Sequence, residues 1–175
     1  DLGAQDVARA IVEDELLGAG LFLYGWRQVP VDASVLGDKA NATRPEIEQI
    51  LFCDPKGRDK EEIERALYIV RRRIEKRAGS SIPGFYVCSL SCDNLVYKGM
   101  FLAQSIDHFY PDLRDERFVS RVAIFHQRYS TNTFPEWRLA QPFRILAHNG
   151  EINTLKGNTN WMKSHEIKMA SEAFG

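Results

Sequence analysis

The sequence predicts a layered α+β or α/β/α domain, on two observations. Amphipathic helical patterns lie near both ends of the chain, and several short runs rich in strand-forming residues lie between them. The 175 residues correspond to one domain of average size, and 44% of them are hydrophobic. We therefore expect a core of substantial size.

The first half of the chain alternates helical and strand patterns. Residues 6–17 have an apolar stripe beside acidic residues, which is typical of a helix. Residues 21–26 and 47–52 are rich in strand formers, and residues 38–45 between them are predicted to form a loop.

The clearest helix is predicted over residues 59–78. Apolar residues recur there at the spacing of a single buried helix face: Ile63, Ala66, Leu67, Val70 and Ile74. Acidic residues lie in the first turns and Lys76 and Arg77 in the last turn, so both ends complement the helix dipole. Gly79 suits a left-handed cap, so the helix is expected to end there.

Most of the predicted strands lie in the second half of the chain. Four runs are rich in strand-forming residues: 85–90, 95–99, 119–128 and 143–147. The first two are predicted to form a hairpin, because the turn-forming residues Cys92, Asp93 and Asn94 separate them. Residues 101–108 and 153–170 are predicted to form a short and a longer helix.

Charge and composition exclude several classes of function. Lys and Arg total 23 and Asp and Glu total 24, so without a basic excess we expect neither a nucleic-acid nor a membrane partner. The longest uncharged stretch, residues 78–92, has 15 residues, whereas a membrane-spanning helix needs about 18 or more apolar residues. Three cysteines and no signal-peptide pattern in the first residues indicate a reducing, cytoplasmic compartment.

Two polar segments, residues 126–133 and 147–151, directly follow predicted strands. A strand that ends in a cluster of hydrogen-bond donors is a frequent setting for a binding site. The first segment is equally compatible with a capped turn, because Thr131 and its two neighbours are good helix N-caps. In the second, Asn149-Gly150 is a strong signal for a hairpin turn.

Asn149 and Gly150 also have a functional interpretation. The side-chain amide of Asn149 and the backbone N–H of Gly150 offer two donors with no Cβ in the way. Such a pair can hold the oxyanion of a tetrahedral acyl intermediate. By itself the dipeptide favours the turn, so pattern alone leaves both interpretations open.

Other candidate sites are weaker. Cys88 and Cys92 have no second Cys or His pair nearby, so a zinc site is not expected. The basic residues within 71–77 lie on a helix with an apolar face, which favours a solvated basic surface over a phosphate site.

Two runs in the second half of the chain resemble the glutamine amidotransferase domain of glutamate synthases. They are HQRYSTNTFPEWRLAQPFR, at residues 126–144, and AHNGEINTLKGNTNWM, at residues 147–162. Four further runs also resemble this family: 24–31, 85–90, 96–100 and 109–113. The resemblance therefore covers nearly the whole chain.

The resemblance implies a fold and a reaction. The fold is the four-layer αββα arrangement of the N-terminal-nucleophile hydrolases, in which two antiparallel sheets lie between layers of helices. In the reaction, a cysteine at the mature N-terminus attacks the side-chain amide of glutamine. Ammonia leaves, and the glutamyl thioester is hydrolysed to glutamate.

The resemblance also implies roles for five residues. Arg128 would pair with the α-carboxylate of glutamine, a role suited to a planar fork of donors. The side chain of Asn149 and the N–H of Gly150 would form the oxyanion hole. Thr131 and Asn132 would line the glutamine pocket, although related amidotransferases have His at the position of Asn132.

The sequence also differs from the family's pattern. It begins with Asp1, and its cysteines, Cys53, Cys88 and Cys92, are internal and lack the free α-amine that the reaction requires. The acidic residue that would bind the α-amine of glutamine is expected after Gly175. We therefore expect residues 1–175 to be part of a single type 2 glutamine amidotransferase domain that lacks its nucleophile segment and its C-terminal portion. The segment alone is expected to be inactive.

In the family, ammonia is channelled to 2-oxoglutarate to form glutamate. This implies FMN, an iron–sulfur cluster and NADPH or ferredoxin for the full enzyme, and no cofactor in this segment. The implied partners are glutamine, the remaining domains of the same polypeptide and, as an optional partner, a small electron-transferring subunit. The alternative is a non-catalytic module of the same fold that binds an amino acid or a partner, because the N-terminal cysteine is absent.

Overall fold

The computed structural model describes residues 2–79, 81–128, 134–143 and 154–172. In chain order, the helices and strands of these ranges are α1 (Leu2–Gly18), β1 (Phe22–Gln28), α2 (Asp38–Ala42), β2 (Glu48–Cys53), α3 (Lys60–Gly79), α4 (Ile106–Phe109) and α5 (Leu155–Glu166). Short 3-10 turns lie at Ala33–Val35, Ala103–Ser105, Pro111–Arg114 and Trp137–Leu139. Among the described helices, none is both long enough and apolar enough to cross a membrane.

The helices predicted at residues 6–17 and 59–78 are confirmed as α1 and α3. A capping box starts α3: Asp59 Oδ1 accepts the N–H of Glu62 at 2.9 Å, and Glu62 Oε2 accepts the N–H of Asp59 at 3.2 Å. The facing apolar residues of the two helices are buried in one cluster: Ile11, Val12, Leu16, Ile63, Leu67, Val70, Ile74 and Ala78. Four of the five residues of the predicted apolar stripe therefore lie on the face that α3 buries against α1, and the fifth, Ala66, is only half-buried.

The two strands predicted in the first half are also confirmed. β1 and β2 pair antiparallel, with Phe22 opposite Cys53, and the register shifts between Leu23 and Gly25. This bulge is compatible with Gly25, whose φ of 142° is disfavoured for other residues. The sheet packs against the α1–α3 cluster through Leu23, Trp26, Ile50 and Phe52.

A second, aromatic cluster packs beside the first. Its buried members are Val29, Ala40, Phe109, Tyr110 and Trp137. The ring of Phe109 lies edge-on to that of Tyr110, with centroids 4.7 Å apart, a favoured aromatic geometry. Residues 38–45 were predicted to form a loop, which is wrong for residues 38–42: α2 forms there and buries Ala40 in this cluster.

The predicted hairpin of residues 85–90 and 95–99 is wrong. These residues form no strand ladder, and a contact with α3 holds the turn between them. Glu64 of α3 accepts the backbone N–H of Cys92 at 2.7 Å and the hydroxyl of Ser91 at 2.9 Å. Strand-like composition therefore did not lead to pairing here, because the turn bonds to a helix rather than across a hairpin.

The strand predicted at residues 119–128 is wrong as well. The segment belongs to no sheet, and Val119, Val122 and Phe125 are exposed. Strand-forming side chains adopt a strand only where a partner strand satisfies the backbone, and the described ranges provide none at this place. Of the strand predicted at residues 143–147, all but Phe143, which is in no strand, lies outside the described residues.

The remaining helices agree with the predictions. The short helix expected within residues 101–108 appears as a 3-10 turn at Ala103–Ser105 that continues into α4. The helix expected at 153–170 appears as α5, whose residues are exposed. The described residues thus mix helix and strand, as expected for an α+β fold. The sheet they contain has two strands, so the four-layer arrangement remains a prediction.

Candidate functional site

Arg128 is the one predicted site residue that lies within the described ranges. Its side chain is exposed at the end of the irregular segment 119–128, and its backbone N–H donates to Nδ1 of His126 at 3.4 Å. The other four predicted residues, Thr131, Asn132, Asn149 and Gly150, lie outside the described residues. The structure therefore describes residues that flank the two site segments in the chain.

The described segment 134–143 lies between the two site segments along the chain. Trp137 is its anchor: its ring is buried in the aromatic cluster, and its Nε1 donates to the carbonyl oxygen of Ala40 at 3.0 Å. Gly99 makes room for this ring. A Cβ at Gly99 would lie 2.6 Å from Trp137 Cζ3 and 2.4 Å from Phe101 Cε1, so a larger residue does not fit without movement.

Lys98 is the second anchor of the same segment. Only 7% of Lys98 is exposed, and its Nζ donates to the carbonyl oxygen of Arg138 at 2.8 Å. The ammonium group also lies 4.9 Å from the ring centroid of Phe143 and 5.3 Å from that of Tyr86, within the range of cation–π attraction. Burial lowers the pKa of Lys98, because a charged ammonium is less stable away from water.

A charged network joins β1 to the turn after α4. Arg27 donates from Nη1 to Asp112 Oδ2 at 2.8 Å and from Nη2 to Asp112 Oδ1 at 2.5 Å, and the hydroxyl of Tyr97 donates to Asp112 Oδ2 at 2.8 Å. The hydrogen bonds from Arg27 lower the pKa of Asp112, because they stabilise its ionised form. The network positions Tyr97, the neighbour of Lys98.

A cavity of about 940 Å³ lies between α1, β2 and residues 84–98. At one end, Glu48 of β2 accepts hydrogen bonds from Arg9 and Gln5 of α1. The bonds from Arg9 lower the pKa of Glu48. No sequence pattern indicated this cavity, because its walls are far apart in the chain.

Cys88 and Cys92 lack the features of an activated nucleophile. Burial raises the pKa of the Cys88 thiol and that of the Cys92 thiol, whereas a nucleophilic thiolate needs a lowered pKa. The described residues also contain no group of His, Cys, Asp and Glu suited to a metal ion. A nucleophile for acyl transfer is therefore not found at Cys88 or Cys92.

The family of class-II glutamine amidotransferases matches residues 2–175, nearly the whole chain. The chain belongs to this family. The family resemblance inferred from the two polar runs is thus confirmed.

Similar proteins include three named glutamate synthases. A glutamate synthase [NADPH] large chain of Azospirillum brasilense is 62% identical over 175 residues, which cover 99% of this chain and 12% of the relative. A ferredoxin-dependent glutamate synthase 2 of Synechocystis is 49% identical, over 95% of this chain and 10% of the relative. The NADPH large chain of Bacillus subtilis is 43% identical, over 95% of this chain and 11% of the relative. The amidotransferase chain therefore spans about a tenth of the length of these relatives.

Sequence reasoning did not identify Lys98 and Trp137 as residues of interest. Both lie in runs that resemble the amidotransferase family, 96–100 and 126–144, but that resemblance assigned them no role. The contact of Lys98 with Arg138 spans 40 positions of the chain, and that of Trp137 with Ala40 spans 97 positions. No local sequence pattern reveals contacts over such separations.

Proposed function

We propose that this chain forms part of the glutamine-hydrolysing domain of a glutamate synthase. The observation that carries the proposal is the family match over residues 2–175, together with 62% identity to a glutamate synthase large chain. The domain would hydrolyse glutamine to glutamate and ammonia, and the ammonia would be channelled to 2-oxoglutarate to form a second glutamate.

Each predicted site residue has a role that follows from its chemistry. Arg128 would bind the α-carboxylate of glutamine through its planar guanidinium, and Thr131 and Asn132 would line the pocket. As the thiolate attacks the side-chain amide, the carbonyl oxygen gains negative charge. The amide of Asn149 and the N–H of Gly150 would donate to that oxygen and so lower the barrier.

The nucleophile of this reaction would be a cysteine outside the 175 residues. Its thiolate would form a bond to the amide carbon, and the nitrogen would leave as ammonia after protonation; water would then release glutamate from the thioester. The raised pKa values of Cys88 and Cys92 support this assignment, since neither thiol is poised to attack. In this proposal, residues 1–175 are part of one domain that also includes a preceding and a following segment.

The proposed protein would be a cytoplasmic oxidoreductase with further domains. Its relatives are named for NADPH or ferredoxin, and FMN and an iron–sulfur cluster would supply the electron transfer outside this segment. A small electron-transferring subunit would be a further partner. The alternative of a non-catalytic binding module is not favoured, because the chain is highly similar to named enzymes and retains Arg128 and Asn149-Gly150.

The test is ammonia release from L-glutamine by the complete protein that contains these residues, with L-asparagine as the control substrate. We expect ammonia release from glutamine but not from asparagine. When 2-oxoglutarate is omitted, one glutamate should form for each ammonia released. A protein that binds glutamine without releasing ammonia would instead support the binding module.

A further inference from the structure

The segment 134–143 lies between the two proposed halves of the glutamine site. Phe134 follows Arg128 by six residues, and Phe143 precedes Asn149 by six residues. Each half is therefore attached to the segment by a short stretch of chain. A displacement of the segment would move the attachment points of both stretches. We therefore expect it to affect both the proposed carboxylate clamp and the proposed oxyanion hole.

Two buried side chains hold this segment by its backbone and its core. Lys98 donates to the carbonyl oxygen of Arg138 at 2.8 Å, and the neighbouring Trp137 donates to the carbonyl oxygen of Ala40 at 3.0 Å. Only 4% of Trp137 and 7% of Lys98 is exposed. The first hydrogen bond therefore connects the segment to Lys98, and the second connects the adjacent residue, Trp137, to α2.

Lys98 is itself held rigidly. The hydroxyl of Tyr110, a buried residue, donates to the carbonyl oxygen of Lys98 at 2.8 Å, which fixes the backbone at residue 98. The ammonium group lies 5.3 Å from the ring centroid of Tyr86 and 4.9 Å from that of Phe143, and Phe143 is the last described residue before the second site segment. Lys98 thus contacts the segment at two points, Arg138 and Phe143.

Fold stability alone gives little reason for a lysine at this place. No carboxylate pairs with Lys98 within the described residues, and removing a cation from water is costly without such a partner. An apolar side chain of similar length would fill the same space at lower cost. What an apolar side chain cannot do is donate to the Arg138 carbonyl and so set the position of the segment.

We propose that Lys98 and Trp137 are positioning residues of the glutamine site, which act by fixing the segment 134–143 that joins its two halves. This inference rests on the proposed function. It assigns to neither residue a contact with glutamine. Because both halves depend on the segment, losing either anchor should raise the KM for glutamine through Arg128 and lower kcat through Asn149 and Gly150.

The test compares four variants of the complete protein in glutamine hydrolysis. Lys98→Met and Trp137→Phe each remove one hydrogen bond to the segment while keeping most of the side-chain volume. Lys60→Met and Trp26→Phe are matched controls: Lys60 pairs with Asp93 on the surface at 2.7 Å, and Trp26 Nε1 donates to Glu13 at 2.6 Å. We expect kcat/KM to fall about 10–100-fold in the first pair, since a displacement of about 1 Å can cost 10²-fold, with changes in both KM and kcat.

Two further measurements separate positioning from general damage. Lys98→Arg, which keeps a buried donor and charge, should retain more activity than Lys98→Met. Trypsin should cleave after Arg138 faster in Lys98→Met and Trp137→Phe than in the parent, and at the parent rate in both controls. This cleavage reports on the segment without reference to activity, and Trp137→Phe keeps the test valid if Lys98→Met does not fold.

The outcomes distinguish this inference from the proposed function. If the unsubstituted protein does not hydrolyse glutamine, the proposed function fails. If it does, but Lys98→Met and Trp137→Phe keep the parent KM and kcat, the positioning role is overturned, whether or not cleavage accelerates. Equal losses in the control variants would also overturn it, since the effect would then not belong to this segment.

Discussion

Arg27 and Asp112 form a two-pronged ion pair across 85 residues of sequence, with N···O distances of 2.8 Å and 2.5 Å. The pair connects the C-terminal end of β1 to the 3-10 turn Pro111–Arg114. Only 16% of the Asp112 side chain is exposed, whereas 38% of the Arg27 side chain is. The carboxylate is therefore the more buried partner, and its replacement is the better test of what the ion pair contributes to stability.

Replacing Asp112 with Asn should loosen the connection between β1 and the turn. The substitution removes the negative charge that Arg27 and Tyr97 both bind, which should cost about 1–2 kcal/mol given the partial exposure of Arg27. Hydrogen exchange of the peptide that covers β1, measured in the complete protein, should become about 5–30-fold faster. Glu116→Gln, an exposed acid nearby, is the control, and equal exchange in both variants would contradict the role of the pair.

The same pair predicts a dependence on pH. Hydrogen bonds from Arg27 hold the folded-state pKa of Asp112 below its ordinary value of 3.8. A carboxyl group with a lowered pKa stabilises the fold above its unfolded pKa and loses that contribution as the pH falls through the folded one. The difference in exchange free energy between the parent and Asp112→Asn should be constant above about pH 5 and shrink below about pH 4. A difference that grows on acidification would contradict this sign.

Gly99 is expected to tolerate no larger residue. A Cβ there would lie 2.4 Å from a ring atom of Phe101 and 2.6 Å from one of Trp137, so Gly99→Ala should destabilise the aromatic cluster by about 1–3 kcal/mol. Hydrogen exchange of the peptide containing Trp137 measures this loss. Gly18→Ala is the control, because a Cβ at Gly18 meets no atom within 4 Å. Equal hydrogen-exchange rates of this peptide in the two variants would show that the rings of Phe101 and Trp137 do not pack tightly against Gly99.

Much of the fold in the first half of the chain was predictable from sequence, because it depends on patterns within single helices and strands. The stripe from Ile63 to Ile74 and the acidic and basic ends of α3 are properties of one helix, so sequence spacing alone revealed them. The hairpin predicted at residues 85–99 was wrong, because a hairpin depends on pairing between two segments rather than on the properties of one. The turn bonds to Glu64, 27 and 28 residues away, and no pattern within the turn indicates this.

The candidate site shows the same division. The polar runs and their family resemblance led to Arg128, Thr131, Asn132, Asn149 and Gly150. The proposed positioning residues were not found, because nothing in the sequence distinguishes Lys98 from other lysines until its contact with Arg138 is known. Resemblance therefore predicted residues for substrate contact, whereas the proposed positioning residues required the structure.

Arg128 is predicted to control the affinity for glutamine. Replacing it with Ala removes the proposed clamp on the α-carboxylate, so KM should rise about 10–100-fold while kcat changes less. Arg128→Lys should restore only part of the affinity, since an ammonium cannot form the two-pronged contact. Arg121→Ala is the control, because Arg121 is exposed in the same segment, residues 119–128. An unchanged KM in Arg128→Ala would remove the clamp from the mechanism.

The most direct test of the proposed chemistry is the kcat of glutamine hydrolysis in the Asn149→Ala variant of the complete protein, with Asn41→Ala on α2 as the matched control. Loss of one oxyanion donor should lower kcat about 10²–10³-fold, while KM and the folded structure are nearly unchanged. The control should retain the parent kcat. A kcat in Asn149→Ala within twofold of the parent would contradict the oxyanion hole, and with it the account of this chain as part of a glutamine-hydrolysing site.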